Sequence, residues 1–533
     1  MNNQTNKACP KAHPLFPFFS LGSLIYAFFF TLFLYRNHSG LTYPFFVGGT
    51  CLFFFLFLKK CGLTAKNTKF LTVSLILLGI STCMTDSWVL IFLNKVAIFL
   101  LFFYMALGCL YETKKWSLLL WAGHIAETIF GSMEFIPYPF IDFSLYQKEK
   151  KAGAEKQSKG QYIFYGVLIA LPLLFVVLIL LGKADAVFGN ALLHLLYFDL
   201  DIFLLNNVLR IVWLFLFAFF SAYCLLRCFD KHALKENVRD PKRFEPVIAI
   251  TFTGMLSFIY ALFCLVQLVY LFGGIGTLPG NYTYSSYARE GFFQLVFICV
   301  LNLTLVLICK KHFGEHKVLK AILTFICVCT YIMIASSAYR MLLYIQWYHL
   351  TFLRVFVLWM LVVISFLVTG ALIFIYREEF PLVRYFVVST TLLYLLFSFS
   401  HPDYWIARYN IAHSFFIIED DRGYHYYVRN EHDSLFYLDD LSLDAAPAIF
   451  ELVENIEADT GITFYDSNLA HSWYDNFCYG LLSISHGNPV DFSPRLYPML
   501  GRQSLRTLNF SRRLAYRYYQ NYMNTHPDYI DWM

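Results

Sequence analysis

The feature that constrains this chain most is a series of apolar segments, each close to the length that crosses a lipid bilayer. A membrane-crossing α-helix needs about 20 mainly apolar residues. Backbone polar groups find no water in the bilayer core, so such segments are expected to be helical. Eleven candidate spans lie at about 15–35, 44–58, 70–85, 88–110, 161–181, 207–228, 247–273, 292–309, 319–339, 353–376 and 383–400.

Composition agrees with a membrane protein. The chain is 58% apolar and 14% charged, whereas soluble domains are about 25% charged. The predicted fold is an all-α polytopic membrane helix bundle of about eleven spans with a small, mostly helical C-terminal soluble domain. The expected domains are spans 1–4 (1–110), a cytoplasmic amphipathic segment with a charged linker (111–160), a core membrane domain with spans 5–11 (161–400) and an acidic extracytoplasmic domain (401–533).

The distribution of Lys and Arg predicts the orientation, because basic loops stay cytoplasmic. Alternate loops contain 25 of these residues in one set and 5 in the other. The N-terminus is therefore expected in the cytoplasm and, with eleven spans, the region after residue 400 outside. The odd number of spans depends on the segment 116–136, which is moderately apolar. This segment is interpreted as an amphipathic or re-entrant cytoplasmic segment rather than a span.

The last 133 residues differ in charge from the rest of the chain. They contain no lysine, nine arginines and 18 acidic residues. Helices are expected at 401–418, 442–458, 469–485 and 494–524, with a small hairpin within 422–438. The fifteen tyrosines of this region leave envelope glycans or envelope proteins open as partners.

Polar residues near the outer ends of two spans form the candidate site. Thr283, Tyr287, Glu290 and Gln294 share one helical stripe, and a second stripe with the same 4-3-4 spacing is expected to meet it. The cluster is interpreted as a ligand-binding or ion-pair site, and acids of an outer loop are expected to pair with its arginines. Interfacial anchoring by the aromatic and arginine side chains remains an alternative. The cluster consists of Tyr287, Arg289, Glu290, Arg340, Tyr344, Trp347, Arg354, Asp199 and Asp201, and Thr351 completes the second stripe.

Several blocks of sequence resemble a bacterial multi-pass inner-membrane family known only as a domain of unknown function. The blocks are Ala184–Phe188, Tyr287–Leu295, Arg340–Arg354, Pro402–Ile411 and Leu441–Pro447. The similarity covers about residues 160–450. It implies a bacterial inner-membrane location and a shared helical core, and it implies no reaction.

Other chemistry finds no support in the residues. The thirteen cysteines include no Cys-x-x-Cys pair, and the histidines show no zinc-binding spacing, so neither a metal site nor a cofactor is expected. No nucleophile elbow or phosphate loop is present, and no catalytic residue is assigned. Arginines in the tail are not interpreted as a nucleic-acid surface, because the surrounding domain is acidic and predicted to lie outside the cell.

The favoured interpretation is transport or envelope sensing by a non-enzymatic mechanism in the bacterial cytoplasmic membrane, with the lipid bilayer as the main partner. Two alternatives remain open. One is a membrane-embedded enzyme acting on a lipid-linked substrate through Glu290, Asp199 or Asp201. The other is a structural scaffold of an envelope complex.

Overall fold

The fold was determined as a computed structural model, and its helices largely follow the apolar segments. It describes residues 13–65, 68–113, 116–152, 202–231, 244–272, 284–419, 425–429, 435–451 and 506–525. The helices are α1 (Phe16–Leu34), α2 (Thr42–Lys60), α3 (Lys69–Met84), α4 (Trp88–Leu110), α5 (Leu118–Ser132), α6 (Tyr138–Ala152), α7 (Ile202–Asp230), α8 (Pro246–Phe272), α9 (Tyr284–His312), α10 (Lys317–Tyr348), α11 (Phe352–Tyr376), α12 (Leu382–Phe399), α13 (Pro402–Ser414) and α14 (Phe510–Thr525).

Nine of the described helices are long and apolar enough to cross a membrane, and α3 is apolar but shorter. This confirms the predicted class, a helical polytopic membrane bundle. The predicted span at 161–181 lies outside the described residues, so the count of eleven stays a prediction. Helix α5, within the segment 116–136, has 15 residues and is not one of the nine, and whether that segment crosses the membrane also stays a prediction.

The C-terminal region contains a short β-hairpin. Helix α13 ends at Ser414, and strand β1 (Phe415–Glu419) pairs antiparallel with β2 (His425–Arg429). The expected helix at 401–418 is therefore four residues too long, since the Phe-Phe-Ile-Ile sequence that follows Ser414 favours a strand. Short 3-10 turns at Leu435–Asp440 and Leu443–Ala445 follow. The expected helix at 469–485 and residues 494–505 of the one expected at 494–524 lie outside the described residues. In the described remainder the helix runs from Phe510 to Thr525.

The chain divides into two compact units. This division does not test the predicted domain boundaries, which stay a prediction. The first unit comprises Met1–Arg36, Gly49–Ala65 and Ala122–Lys235, and the second comprises Asn37–Gly48, Lys66–Trp121 and Glu236–Met533.

The first unit is built on the packing of α1 against α7. The ring of Phe19 meets that of Tyr223 edge-on at 6.0 Å. The hydroxyl of Tyr223 donates to the buried carboxylate of Asp142 at 2.7 Å, and Arg227 donates to the other carboxylate oxygen at 3.3 Å. Because this charge is both paired and hydrogen-bonded, its burial is tolerated.

In the second unit, helices α8 to α11 share an apolar core that contains buried hydrogen-bonded polar groups. The hydroxyl of Tyr260 donates to Asn302 at 2.6 Å, and the amide of Asn302 donates to Thr330 at 3.0 Å. A similar group joins α3, α4 and α12. The side-chain oxygen of Asn94 accepts from Tyr394 at 2.7 Å and from Ser398 at 2.8 Å, and the hydroxyl of Ser81 lies 2.6 Å from that of Ser398. These contacts tie neighbouring helices together where apolar packing alone discriminates poorly.

Candidate functional site

One buried carboxylate, that of Asp444, joins three parts of the second unit. Its side chain is fully buried. It accepts hydrogen bonds from the hydroxyl of Thr85 at 2.5 Å, from the backbone N–H of Asp86 at 2.8 Å and from the hydroxyl of Ser511. Nδ1 of His401 lies 3.4 Å from the same carboxylate. The α3–α4 connection, the start of α13 and the start of α14 therefore meet at this group.

The local sequence explains why Asp444 points into the bundle. Ser442 is extended, with φ −76° and ψ 171°, and the following 3-10 turn carries Asp444 in its first turn. The small residues Ala445 and Ala446 are fully buried, so the turn packs closely against its neighbours. The block Leu441–Pro447, which supported the family resemblance, thus places the central carboxylate of the site.

A second carboxylate, that of Asp403, holds the turn in position from the other side. Asp403 lies in the first turn of α13 and is buried. It accepts a hydrogen bond from the Ser442 hydroxyl at 2.5 Å and another from the Ser442 N–H at 3.4 Å. The turn containing Asp444 is consequently fixed to α13.

A third carboxylate, that of Asp86, binds the C-terminal helix. Nε of Arg512 lies 2.6 Å from Oδ1 of Asp86. Directly before α14, the side-chain amide of Asn509 donates to the carbonyl oxygens of Thr85 at 2.8 Å and of Ser39 at 3.2 Å. The name carboxylate cluster is used below for Asp86, Asp403 and Asp444 together with His401 and Arg512.

The three carboxylates differ in the direction of their pKa shifts. Burial would raise the pKa of Asp444, but hydrogen bonds from His401, Ser511 and Thr85 outweigh it and lower that pKa below its ordinary value. Burial raises the pKa of Asp403 and that of Asp86, although hydrogen bonds to each act in the opposite direction. Asp444 is therefore the anion that its surroundings stabilise best.

His401 takes the complementary role. Its hydrogen bond with Asp444 raises its pKa above the ordinary value, against the lowering effect of burial. The residue adopts a left-handed conformation with φ 48°, which non-glycine residues rarely adopt. That conformation separates α12 from α13 and brings the imidazole to the carboxylate cluster.

The connection between α1 and α2 also reaches this region. The side-chain amide of Asn37 donates to the carbonyl oxygen of Arg506 at 3.1 Å, and the Thr42 hydroxyl donates to the same oxygen at 3.2 Å. A side chain at Gly40 would collide with this carbonyl and would lie 2.7 Å from Cα of Thr507. The close approach of the two backbones requires glycine here.

The geometry of the carboxylate cluster differs from that of a Ser-His-Asp triad. Ser511 donates directly to Asp444, so its hydroxyl is not hydrogen-bonded to the imidazole that would have to activate it. No group of three or more metal-binding side chains occurs among the residues that the structure describes. The arrangement is suited to holding the C-terminal helix on the bundle through a small number of ionisable groups.

Four members of the predicted cluster can be located, and they form two separate sets of contacts. Arg340 is buried and donates to the side-chain oxygen of Gln267 at 3.2 Å, an oxygen that also accepts from Ser336 at 2.7 Å. Arg354 lies over the ring of Tyr344, with its guanidinium carbon 4.3 Å from the ring centre.

The second predicted stripe is not continuous. Helix α10 ends at Tyr348, and His349 has a left-handed φ of 57°, so Thr351 and Arg354 belong to a separate segment. Arg354 turns back to donate to the carbonyl oxygens of Tyr348, at 2.5 Å, and of His349. The guanidinium satisfies carbonyl groups at the end of α10, where a cation is favoured. Trp347 is 44% exposed, which fits the interfacial alternative.

The other predicted site residues fall where side chains are not described. Tyr287, Arg289 and Glu290 lie in the first turns of α9, but the positions of their side chains are outside the described part. Asp199 and Asp201 lie outside the described residues altogether. The meeting of the two stripes and the pairing of the acids with arginines therefore stay predictions.

The carboxylate cluster was missed by the sequence reasoning. Asp403 and Asp444 lie within two of the blocks quoted for the family resemblance, which is the signal that could have identified them. Asp86 and Arg512 lie outside those blocks. They are 426 positions apart in the chain, and no local pattern connects them.

Comparison with known proteins bears on the family alone. No curated protein and no solved structure matches the chain. A family described as a domain of unknown function, DUF4153, matches residues 72–452, which include Asp86, Asp403 and Asp444 and begin well before the expected limit near residue 160. Since the match covers more than half of the sequence, this multi-pass membrane protein belongs to the DUF4153 family.

Proposed function

We propose that the protein is an envelope sensor of the cytoplasmic membrane, in which the C-terminal segment is held on or released from the bundle by the carboxylate cluster. The observation that carries the proposal is the buried anion of Asp444, which accepts from Thr85, Ser511 and His401. Since a few ionisable groups connect these segments, a change in protonation or a competing ligand shifts the equilibrium between the attached and the released C-terminal segment.

The charge distribution supports an outward position for this end of the bundle. The connections 85–87 and 349–351 contain no Lys or Arg, and the connection 35–41 contains one, Arg36. The opposite ends of the helices, together with the residues that follow them, carry Lys310, Lys311, Lys317 and Arg377. Basic connections are retained in the cytoplasm, so the carboxylate cluster faces outward in the proposed orientation.

The orientation is tested with a reporter enzyme fused after Met533. A fusion to alkaline phosphatase, which is active only outside the cytoplasm, is expected to be active, and a fluorescent-protein fusion is expected to be dark. The opposite pattern would place the carboxylate cluster in the cytoplasm and exclude envelope sensing.

The sensing role is tested by hydrogen exchange on the full chain in lipid nanodiscs. Exchange of residues 506–518 is compared at pH 5 and pH 8, with and without soluble cell-wall fragments, while α10 and α11 serve as internal controls. Sensing predicts that protection of 506–518 changes under one of these conditions and that the controls stay constant. Equal protection of 506–518 under all conditions would show that this segment is a static structural element and would contradict the sensing role.

Transport is the second candidate, and it is favoured by the polar contacts inside the spanning helices. Arg340 and Gln267 on α10 and α8, together with Tyr260, Asn302 and Thr330, place hydrogen-bonding groups along the interior of one bundle. Buried polar groups within spans often mark a transport path. Uptake of labelled ions, sugars and amino acids into proteoliposomes, lost in Gln267→Leu but retained in Gln346→Leu at an exposed position of α10, would favour transport.

A further inference from the structure

Helix α14 presents one face in which apolar and cationic side chains alternate. Phe510 and Leu514 are 47% and 45% exposed, and Arg513 and Arg517 are also exposed. Residues at these spacings lie on the same side of a helix. The opposite side packs against the protein through Ser511 and Ala515, which are buried.

The arginines of this face are separate from the carboxylate cluster. Arg512 uses its guanidinium to bind Asp86 at 2.6 Å. Neither Arg513 nor Arg517 forms an ion pair with another residue in the described ranges. The face thus carries two positive charges that no described acid neutralises, beside two large apolar side chains.

The start of α14 lies at the level where two bundle helices end. Asn509, one residue before α14, donates to the carbonyl oxygen of Thr85, and Thr85 directly follows α3. Helix α4 begins at Trp88, which is 72% exposed. An exposed tryptophan at the end of a membrane-crossing helix is typical of the boundary between lipid and water. The first turns of α14 are therefore at the membrane surface.

We infer that the face formed by Phe510, Arg513, Leu514 and Arg517 binds the anionic phospholipid headgroups of the adjoining leaflet. Phe510 and Leu514 enter the boundary between headgroups and acyl chains, as in interfacial helices. The planar guanidinium groups of the two arginines match the geometry of lipid phosphates. This lipid contact is independent of whether the protein is a sensor, since it requires only that α14 be docked.

The test uses the full chain in nanodiscs that contain equal amounts of phosphatidylcholine and phosphatidylglycerol. Leu514 is replaced by the photoreactive p-benzoylphenylalanine, and lipid adducts are identified by mass spectrometry after irradiation. Each arginine near an anionic membrane surface contributes roughly a fivefold preference. Phosphatidylglycerol adducts are therefore expected to exceed phosphatidylcholine adducts roughly tenfold or more.

The matched variants separate local recognition from total charge. The double substitution Arg513→Gln with Arg517→Gln is expected to bring the adduct ratio close to that of the bulk lipids. The control, Lys317→Gln with Arg377→Gln, removes the same charge from exposed positions at the other ends of the helices and should keep the preference. Hydrogen exchange of residues 506–518 verifies that α14 stays docked in both. Absence of lipid adducts from the docked helix, or a ratio equal to the bulk composition, would overturn the inference.

Discussion

The hydroxyl of Thr85 donates a hydrogen bond to the carboxylate of Asp444 at 2.5 Å, although the two residues are 359 positions apart in the chain. Thr85 belongs to a connection between two bundle helices, and Asp444 belongs to the turn on which α14 packs. This contact and its neighbours make the attachment of the C-terminal segment depend on buried charged groups.

Substitution of Asp444 by Asn is expected to loosen the C-terminal segment. An amide retains one accepting oxygen but directs its NH2 group toward a donor, either Thr85 on one side or Ser511 on the other. Hydrogen bonds to a charged group contribute about 1.5–3 kcal/mol. A loss of about 3 kcal/mol corresponds to roughly 100-fold faster amide exchange in residues 506–518. Asp440→Asn, at an exposed position, is the control, and equal exchange in the two variants would contradict the central role of Asp444.

Substitution of Asp403 by Asn is expected to stabilise the protein or to leave its stability unchanged. Burial raises the pKa of Asp403 above its ordinary value, so its charged form is less favourable than that of an exposed aspartate. Asparagine keeps an oxygen that can accept from the Ser442 hydroxyl. The thermal midpoint of the purified protein at pH 7.5 should be unchanged or higher than that of the wild type, whereas Asp444→Asn lowers it. A midpoint lowered as strongly by Asp403→Asn would show that the charge of Asp403 is needed.

The attachment of α14 is expected to be strongest in the range from about pH 4 to pH 6.5. The pKa of Asp444 is lowered from 3.8, so its contribution is present above that value and lost as the pH falls through the lowered pKa. The pKa of His401 is raised from 6.5, so its contribution is complete below 6.5 and lost as the pH rises through the raised pKa. The raised pKa values of Asp86 and Asp403 add a cost as these groups ionise.

This profile is measured by hydrogen exchange of residues 506–518, corrected for the intrinsic pH dependence of exchange. Protection should decrease between pH 6.5 and 8.5 in the wild type. In His401→Gln, which lacks the titrating imidazole, the decrease should be smaller. The profile is wrong if protection stays constant over this range or if His401→Gln leaves it unaltered.

Substitution of Gly40 by Ala is expected to displace the segment around Arg506. The added methyl group would meet the Arg506 carbonyl and the Asn37 side chain, both held by hydrogen bonds, and such overpacking costs about 1–3 kcal/mol. Gly48→Ala is the matched control, because nothing lies within 4 Å of the added methyl and alanine favours the helix. Exchange near residue 506 should increase in the first variant alone.

Substitution of Arg354 by Gln is expected to fray the end of α10. Glutamine cannot donate to the carbonyl oxygens of Tyr348 and His349 at once or place a cation over Tyr344. The expected loss is about 1–2 kcal/mol, seen as faster exchange in residues 342–350. Arg408→Gln, at an exposed position on α13, controls for the charge, and unchanged exchange in the Arg354 variant would indicate a purely interfacial role.

The membrane helices could be predicted because the signal is local. The length and hydropathy of a stretch such as 353–376 can be read directly from the sequence, and the helix found there runs from Phe352 to Tyr376. The short strand at Phe415–Glu419 was missed since helix and strand compete closely in a five-residue apolar stretch. The contact of Arg354 with the end of α10 could not be predicted from a helical stripe, because the helix ends at Tyr348 and does not continue across His349.

The sequence by itself determined that this chain is a bundle of membrane helices, because in a bilayer the length and apolarity of each segment decide its structure without reference to its neighbours. Only the tertiary structure decided that Asp86, Asp403 and Asp444 gather with His401 and Arg512. These residues lie in connections and termini with no periodic pattern, and they meet because the ends of packed helices bring distant parts of the chain together. Burial and hydrogen bonding there, rather than residue type, determine which carboxylate is held as an anion.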